Sequence, residues 1–536
     1  MKKKSIFIII DALRHDLLHN KSVRKKLFPT INSILSRGFI TKAVANAQST
    51  QFVLPSLFSS SYPLDHGGYN FGIRHRVSYI EQLKKNKFKT YIVSTCNQMG
   101  IGNGYDRAVD KVFTTNDYRL IIEQKINRTL LYEIDLLKKN KKTKKQVIKV
   151  LKKELGITLD RIISYKNIDQ ALWPKKLSNI NTKVITGCIN EKKILIENPE
   201  IILNKMKRVS GGIYWHTLGK VKYNSFSFQY KRLIGAISWR FKKIIAKQNF
   251  WPFLRYGHCV VVINDIIDVL VKKILSLEEK KWHVHMHFMD VHDCRSINNP
   301  IVLLKRLRFF PKWLLEKTRG NIKHRFLYVS AMMDVDRNLG KLFKALEKKS
   351  ILKDILILIT ADHASSYAES PRGHLDVEKR THYEDLDVPF IMSNISKKPK
   401  KNTICDSMDI TTTFLSALKI VPDSSSKGQN IFKQEKTFAI SESCGSGNAD
   451  IERRDIFFTV TTKKFKMMAT LSNKELKAQK LFNLLDDPYE KKNIIENAMH
   501  KKDINFLFEI LYKNRKEIFD IKGIKKPKFK FKPISN

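Results

Sequence analysis

Two continuous runs of apolar, β-branched residues, each leading into an acidic residue, constrain the fold of this chain more than any other feature. Ser5–Ile10 reads SIFIII and is followed by Asp11, whereas Ile355–Thr360 reads ILILIT and leads into Asp362 and His363. Such runs are typical of buried parallel strands, and open α/β sheets place their chemistry at the carboxyl ends of these strands. The sequence therefore predicts that two acids and an imidazole can converge at one edge of a parallel sheet.

Further strand and helix patterns extend this core. Lys89–Ser94 (KTYIVS) and Trp282–Met289 (WHVHMHFM) are predicted strands, and Ala331–Leu346 has a helical pattern. Strands that alternate with helices indicate a doubly wound α/β sheet.

Changes in composition along the chain predict its domain organisation. Lysine-rich runs such as Lys138–Lys153, without a strand that ends in a catalytic residue type, indicate a basic and mainly helical insertion. Short strands such as Asp455–Thr461 then indicate a smaller carboxyl-terminal α+β subdomain, followed by a lysine-rich tail. The predicted divisions are a catalytic core at 1–115 and 250–434, an insertion at 116–249, a subdomain at 435–520 and a basic tail at 521–536.

The charge of the chain is strongly positive. Its 536 residues contain 100 Lys+Arg and 51 Asp+Glu, a formal net charge of +49, and the 42% hydrophobic content excludes a mostly disordered protein. The excess charge fits nucleic acid, an anionic membrane or an acidic substrate, and by itself it does not choose among them. Since no run of about 18 uncharged apolar residues is present, we expect a cytoplasmic protein. The six scattered cysteines fit reduced thiols.

The acids and the imidazole at the strand ends suit a metal ion. Asp11, Asp362 and His363 offer hard oxygen ligands and one nitrogen, which fit Zn²⁺, Mn²⁺, Mg²⁺ or Ca²⁺. Either acid alone could simply cap a helix. The segment Asn46–Gly67 is the richest cluster of hydroxyl side chains and can supply a nucleophile beside a metal, although a capped loop without chemistry has the same composition.

Eight motifs, in order along the chain, resemble the sulfatase branch of the alkaline phosphatase superfamily. The resemblance runs from the first strand to Asn493 and leaves about 116–249 uncovered. The matching segments are Ile9–Asp16 (IIDALRHD), Gln48–Gly67 with its Tyr62-Pro63 and His66-Gly67, Gly104–Asp110 (GYDRAVD), His287–His292 (HFMDVH) with the helix Tyr328–Leu346, Thr360–His363 (TADH), Lys379–Pro389 (KRTHYEDLDVP), Asp409–Leu418 (DITTTFLSAL) and Leu481–Asn493 (LFNLLDDPYEKKN).

One departure from the family's pattern concerns the nucleophile. Sulfatases carry C-x-P-S-R or S-x-P-S-R, whose first residue becomes formylglycine, whereas here Val53 stands at that position. The run Thr50–Ser59 (TQFVLPSLFS) is instead similar to the segment of phosphoethanolamine transferases whose Thr is the nucleophile, and its spacing also fits phosphoglycerol transferases. The resemblance thus favours Thr50, with Ser49 and Ser56 as alternatives.

The resemblance also implies a set of roles. One divalent metal is held by Asp11, Thr50, Asp362 and His363, while Thr50 attacks the ester and forms a covalent intermediate. Three further side chains hold the ester oxygens and protonate the leaving group, and one more is a candidate for substrate binding. These are His292, Lys379 and His382 as catalytic residues, and His374 for substrate binding.

The predicted activity is cleavage or transfer of a phosphate ester, less readily a sulfate ester, on a glycan, lipid or small anionic substrate. A second departure, Ala12 where the family has another Asp, bears on the metal coordination. The alternative function is an inactive basic scaffold that binds polyanions, although no specific nucleic acid partner is predicted. Val302–Lys317 mixes aromatic and basic residues and could contact the anionic inner membrane face, but an ordinary basic surface helix is favoured there.

Overall fold

The computed structural model describes residues 2–95, 103–165, 172–223, 226–247, 261–294, 297, 299–307, 325–365, 381–445, 448–472 and 475–524. The chain divides into two compact units. The first comprises Met1–Lys89, Lys280–His283 and Lys353–Asn536, and the second comprises Thr90–Glu279 and Val284–Leu352. The division predicted from composition differs from this one, and its boundaries stay a prediction.

The described residues form twelve strands, numbered in chain order. Their bounds are β1 Lys4–Ile10, β2 Gly38–Val44, β3 Lys89–Ser94, β4 Lys111–Thr114, β5 Trp282–Phe288, β6 Ile355–Thr360, β7 Asp387–Ser393, β8 Cys405–Asp406, β9 Phe438–Ser443, β10 Ile456–Thr462, β11 Phe465–Ser472 and β12 Glu475–Asn483.

Strands of the first unit follow the order β1-β6-β7-β2-β8. The two predicted apolar strands, β1 and β6, are parallel neighbours, with Lys4 opposite Ile355 and Ile9 opposite Thr360. β7 runs antiparallel to both β6 and β2, so the sheet is mixed rather than purely parallel. A second, antiparallel sheet has the order β12-β11-β10-β9.

Helices surround these strands in the first unit. Aromatic side chains tie β1 to two of them, because the ring of Phe7 lies 5.4 Å from both Tyr79 and Phe414. The helix bounds are His15–His19, Lys21–Leu27, Pro29–Ile34, Thr50–Ser59, Tyr79–Lys85, Tyr383–Leu386, Ser407–Ala417, Lys501–Asn514 and Lys516–Ile521.

The second unit is mainly helical. Its strands β3 and β4 are parallel, and the Thr95 amide donates a hydrogen bond to the His287 carbonyl oxygen at the end of β5 (3.0 Å). Its helices are Tyr118–Lys125, Leu131–Lys138, Lys144–Ser164, Lys175–Glu197, Pro199–Arg208, Gly211–Tyr214, Phe226–Lys247, Ile263–Leu275 and Arg325–Lys348, and residues 300–307 are also helical.

These elements confirm the predicted α/β fold class. The strands β3 and β6 have the predicted bounds, and β1 begins one residue before the predicted run. Within the described part of the chain, no helix combines the length and the apolar character needed to cross a bilayer.

Candidate active site

Parallel pairing brings the two predicted acids together at the carboxyl ends of β1 and β6. Asp11 follows β1 directly, and Asp362 comes two residues after β6. The backbone amide of Ala12 donates a hydrogen bond to Asp362 Oδ1 (3.2 Å), and both carboxylates are fully buried. Ala12, which replaces a family Asp, has a left-handed backbone (φ 63°) and supplies an amide here rather than a carboxylate. Two neighbouring strands thus place two buried acids at one edge.

Thr50 joins these acids from the start of a helix. It is the first residue of the helix Thr50–Ser59, whose N-cap is Ser49, and only 5% of it is exposed. Its Oγ1 donates a hydrogen bond to Asp11 Oδ2 (3.0 Å) and lies 3.2 Å from His363 Nε2. Because the first backbone amides of a helix carry partial positive charge, this position also favours an anionic ester.

The orientation of His363 determines which of its nitrogens is available. Its Nδ1 lies 2.6 Å from the carbonyl oxygen of Ala364, which can only accept, so Nδ1 carries the proton. In the neutral ring Nε2 therefore presents a lone pair, 3.7 Å from both Asp11 Oδ1 and Asp362 Oδ2. A backbone carbonyl that fixes the tautomer in this way is the usual second contact of a metal-binding histidine.

These four residues, Asp11, Thr50, Asp362 and His363, are called the acceptor cluster below. Two carboxylates and an imidazole face one another, and the Thr50 hydroxyl donates to one of the carboxylates, Asp11. In addition, the buried Asp362 Oδ2 has no hydrogen-bond partner among the described residues. Buried charge without a counter-charge is costly, and a cation offsets that cost. The donor set, three oxygen-bearing side chains and one imidazole, fits a divalent ion.

His382 has a different environment in the same unit. Its Nδ1 lies 2.8 Å from Glu490 Oε2, and the other Glu490 oxygen accepts a hydrogen bond from Lys466 Nζ (2.6 Å). The three side chains are at most 4% exposed. Burial opposes the charge of Glu490, but Lys466 and His382 outweigh it and lower the pKa of Glu490. The imidazole is therefore held by an ionised carboxylate, which leaves Nε2, 3.5 Å from Lys480 Nζ, for other contacts.

Sequence reasoning did not identify Glu490 and Lys466 as partners of His382. Glu490 belongs to the segment Leu481–Asn493 that resembles the family, which was the available signal, but nothing in the sequence pairs it with a histidine 108 residues earlier. Lys466, the third member of this group, lies on β11.

The other predicted residues belong to the second unit, lie outside the described residues or are buried within a helix. His292 belongs to the second unit, is half-buried and has its Nδ1 3.4 Å from Asp293 Oδ1. His374 and Lys379 lie outside the described residues. Ser56, an alternative nucleophile, is fully buried inside the helix.

A second buried cluster, called the arginine cluster, consists of Asp65, Glu442 and Arg515. Arg515 donates to Asp65 Oδ1 (2.8 Å) and to both oxygens of Glu442 (2.6 and 2.9 Å), and its guanidinium carbon lies 4.3 Å from the Tyr62 ring centre. Burial works against the charge of Asp65, but Arg515 and Lys427 prevail and lower the pKa of Asp65. The cluster anchors the turn that follows the helix Thr50–Ser59.

A family model described as Sulfatase matches residues 214–420. A search of curated proteins gives no match.

Three solved structures illustrate the likeness in fold. A candidate sulfatase from Bacteroides fragilis has 12% identity and a TM-score of 0.54, with 97% of each chain covered. A 2-O GAG sulfatase has 10% identity and a TM-score of 0.53, with 98% of this chain and 94% of that chain covered. The phosphonate monoester hydrolase of Agrobacterium radiobacter has 12% identity and a TM-score of 0.51, with 96% of each chain covered. The chain therefore has the fold of these sulfatases and of the phosphonate monoester hydrolase, and the sulfatase resemblance found in its sequence is confirmed.

Proposed function

We propose that this protein is a metal-dependent enzyme that cleaves or transfers a phosphate ester, and less readily a sulfate ester, through Thr50. The observation that carries the proposal is the position of the Thr50 hydroxyl, which is buried, 3.0 Å from Asp11 Oδ2 and 3.2 Å from His363 Nε2. A free threonine hydroxyl is a poor nucleophile near neutral pH and needs such an environment to react.

The proposed reaction has two displacement steps. Thr50 Oγ1 attacks phosphorus as its proton moves along the hydrogen bond to Asp11, and the bond to the leaving oxygen breaks. His382, positioned by Glu490, is the proposed donor of a proton to that oxygen, and His292 and Lys379 are proposed to hold the ester oxygens. Water or an acceptor alcohol then attacks phosphorus and gives its proton to His382, while the bond to Thr50 Oγ1 breaks and Thr50 regains its proton from Asp11. Water as the attacking group makes the enzyme a hydrolase, and an alcohol makes it a transferase.

The acceptor cluster would hold the metal through Asp11, Thr50, Asp362 and His363. When bound, a divalent ion lowers the pKa of a coordinated hydroxyl and offsets negative charge on the non-bridging oxygens. His363 is oriented for this role by Ala364, and Asp362 by the amide of Ala12.

The preference for phosphate over sulfate rests on Thr50. A threonine cannot be converted to formylglycine, the residue that the C-x-P-S-R and S-x-P-S-R segments provide. The fold is shared by a 2-O GAG sulfatase and by a phosphonate monoester hydrolase, so both ester classes belong in the test.

Intact-mass analysis tests the nucleophile directly. The protein is incubated with aryl phosphate monoesters, aryl phosphate diesters and aryl sulfates, and any covalent adduct is mapped by peptide sequencing. We expect an adduct on Thr50 that is absent from Thr50→Ala, whereas Ser56→Ala, a change in the same helix, keeps it. An adduct mapped to Ser49 or Ser56 would contradict the assignment.

Elemental analysis of the purified protein tests the metal and the alternative function together. We expect bound divalent metal, together with turnover that stops in chelator and returns on adding the ion. A protein that has no metal and no turnover but binds polyanions would instead support the scaffold function.

The cytoplasmic placement of this protein stays a prediction.

A further inference from the structure

The helix Phe226–Lys247 in the second unit exposes a stripe of large apolar side chains. Each member of the stripe has another member three or four residues away along the helix, the interval that returns to one face. They are between 48% and 89% exposed: Phe226, Tyr230, Leu233, Ile234, Ile237 and Phe241.

Most other described side chains of this helix are exposed as well, whereas Phe228 is half-buried. Every side chain from Leu233 to Ser238 is exposed, and so is Arg240. A helix that packs against its own protein buries its apolar stripe, and an isolated helix in water has only marginal stability. A contiguous exposed apolar patch on a folded protein marks a site of interaction. The stripe therefore indicates a surface that another partner covers.

The charge of the helix identifies the chemistry of that partner. Its sequence contains six basic residues and no Asp or Glu, in a chain whose net charge is +49. A second copy of this chain would bring the same positive helix against its own image, which repulsion disfavours. Nucleic acid complements the charge, but its phosphates do not bury leucine, isoleucine and phenylalanine. An anionic lipid surface complements both features.

We infer that the helix Phe226–Lys247 lies in the headgroup layer of an anionic membrane, with its apolar stripe at the acyl boundary and its basic residues near lipid phosphates. Aromatic residues on an amphipathic, lysine- and arginine-rich helix favour this interfacial position. This inference is independent of the ester chemistry proposed above. It also locates membrane contact on a different segment from Val302–Lys317, of which residues 308–317 lie outside the described residues.

Vesicle co-sedimentation of the full chain tests the inference. The probes are vesicles of phosphatidylcholine with phosphatidylglycerol and vesicles of phosphatidylcholine alone, in rising salt. Since a protein of this charge attracts anionic vesicles anyway, the decisive comparison is between two exposed double variants. Leu233→Gln with Ile237→Gln removes part of the stripe, whereas Ala236→Gln with Ser238→Gln adds the same side chains elsewhere on the helix.

We expect the stripe variant to bind anionic vesicles at least about tenfold more weakly, and the control variant to bind like the wild type. Hydrogen exchange should show protection of the amides of 226–247 only with anionic vesicles. Equal vesicle binding by both variants would overturn the inference. So would a dimer that dissociates in the stripe variant, or binding of RNA by a wild-type protein that ignores vesicles.

Discussion

The acceptor cluster and the arginine cluster are both buried in the first unit, yet they differ in how their charges are balanced. Arg515 lies between two carboxylates and donates three hydrogen bonds to them, so that cluster contains its own cation. In the acceptor cluster two carboxylates and an imidazole face one another, and the hydrogen bonds that Thr50 Oγ1 and the Ala12 amide donate to the carboxylates bring no full positive charge. The difference teaches that acids paired with a buried arginine stabilise the fold, whereas the acids grouped with an imidazole fit the divalent ion proposed above.

Removing the internal cation should have the largest effect of the changes that test this contrast. Arg515→Met leaves Glu442 buried without its guanidinium partner and takes from Asp65 one of its two cationic partners, the other being Lys427, and we expect the free energy of unfolding to fall by about 3–5 kcal/mol. Denaturant titration measures it. Lys516→Met, at an exposed neighbour paired with Asp520, should leave it nearly unchanged. Equal effects of the two changes would make the arginine cluster energetically unimportant.

Asp362→Asn should reduce turnover rather than stability. Asparagine can still accept the Ala12 amide through Oδ1, and Asp362 Oδ2 has no hydrogen-bond partner to lose among the described residues. We therefore expect stability without metal to be unchanged or higher, whereas turnover falls by about 10²–10³-fold. Metal content per molecule and the melting temperature, with and without chelator, distinguish this loss from misfolding. A clear loss of stability in chelator would show that the carboxylate serves the fold.

Glu490→Gln tests the buried ion pair of Glu490 and Lys466, which positions His382, the proposed proton donor. Lys466 and His382 keep Glu490 ionised, and its lowered pKa means that its contribution to stability is present above its ordinary pKa and is lost as the pH falls through the lowered one. We expect about ten- to hundredfold slower turnover. Because an imidazolium at His382 would lose its carboxylate partner, the alkaline limb of the pH–rate profile should move to lower pH. A uniform loss at every pH would indicate a structural role alone.

Asp290, a buried carboxyl in the second unit, should have the smallest free-energy effect of the buried groups compared. Its Oδ1 accepts a hydrogen bond from the Ile263 amide (2.9 Å), and burial raises its pKa to about 8, so a proton takes the place of a cation. A raised pKa gives stability that is present below the unfolded-state pKa, about 4, and is lost as the pH rises toward 8.

Asp290→Asn should remove this dependence. Between pH 6 and 7 the wild type should lose about 1.4 kcal/mol more than the variant, measured by denaturant unfolding at each pH. Parallel curves for the two proteins would show that Asp290 is ionised when folded.

The sequence predicts the centre of the acceptor cluster better than its surroundings. Asp11, Asp362 and His363 each follow an apolar strand, and parallel pairing of adjacent strands is sufficient to bring them together. Thr50 came from a resemblance, because a helix start rich in hydroxyls has no unique pattern. The roles of these residues stay predictions.

Balanced ion pairs, by contrast, could not be predicted. Arg515 meets Asp65 across 450 residues, and Glu490 meets His382 across 108. Neither pair has a local pattern, since a lysine- and arginine-rich chain offers many cations and only the packed fold selects one. The antiparallel direction of β7 is hidden for the same reason, because an apolar strand does not encode its direction.

The pairing of β1 with β6 has a consequence for synthesis on the ribosome. Lys4 of β1 pairs with Ile355 of β6, which comes 351 residues later in the chain, so this edge of β1 stays unpaired until β6 has been synthesised. Since synthesis proceeds at about 5–20 residues per second, this apolar edge of β1 has no β6 neighbour for roughly 18–70 s. Until β6 is made, this unpaired strand edge is a site where the nascent chain can aggregate or bind a chaperone.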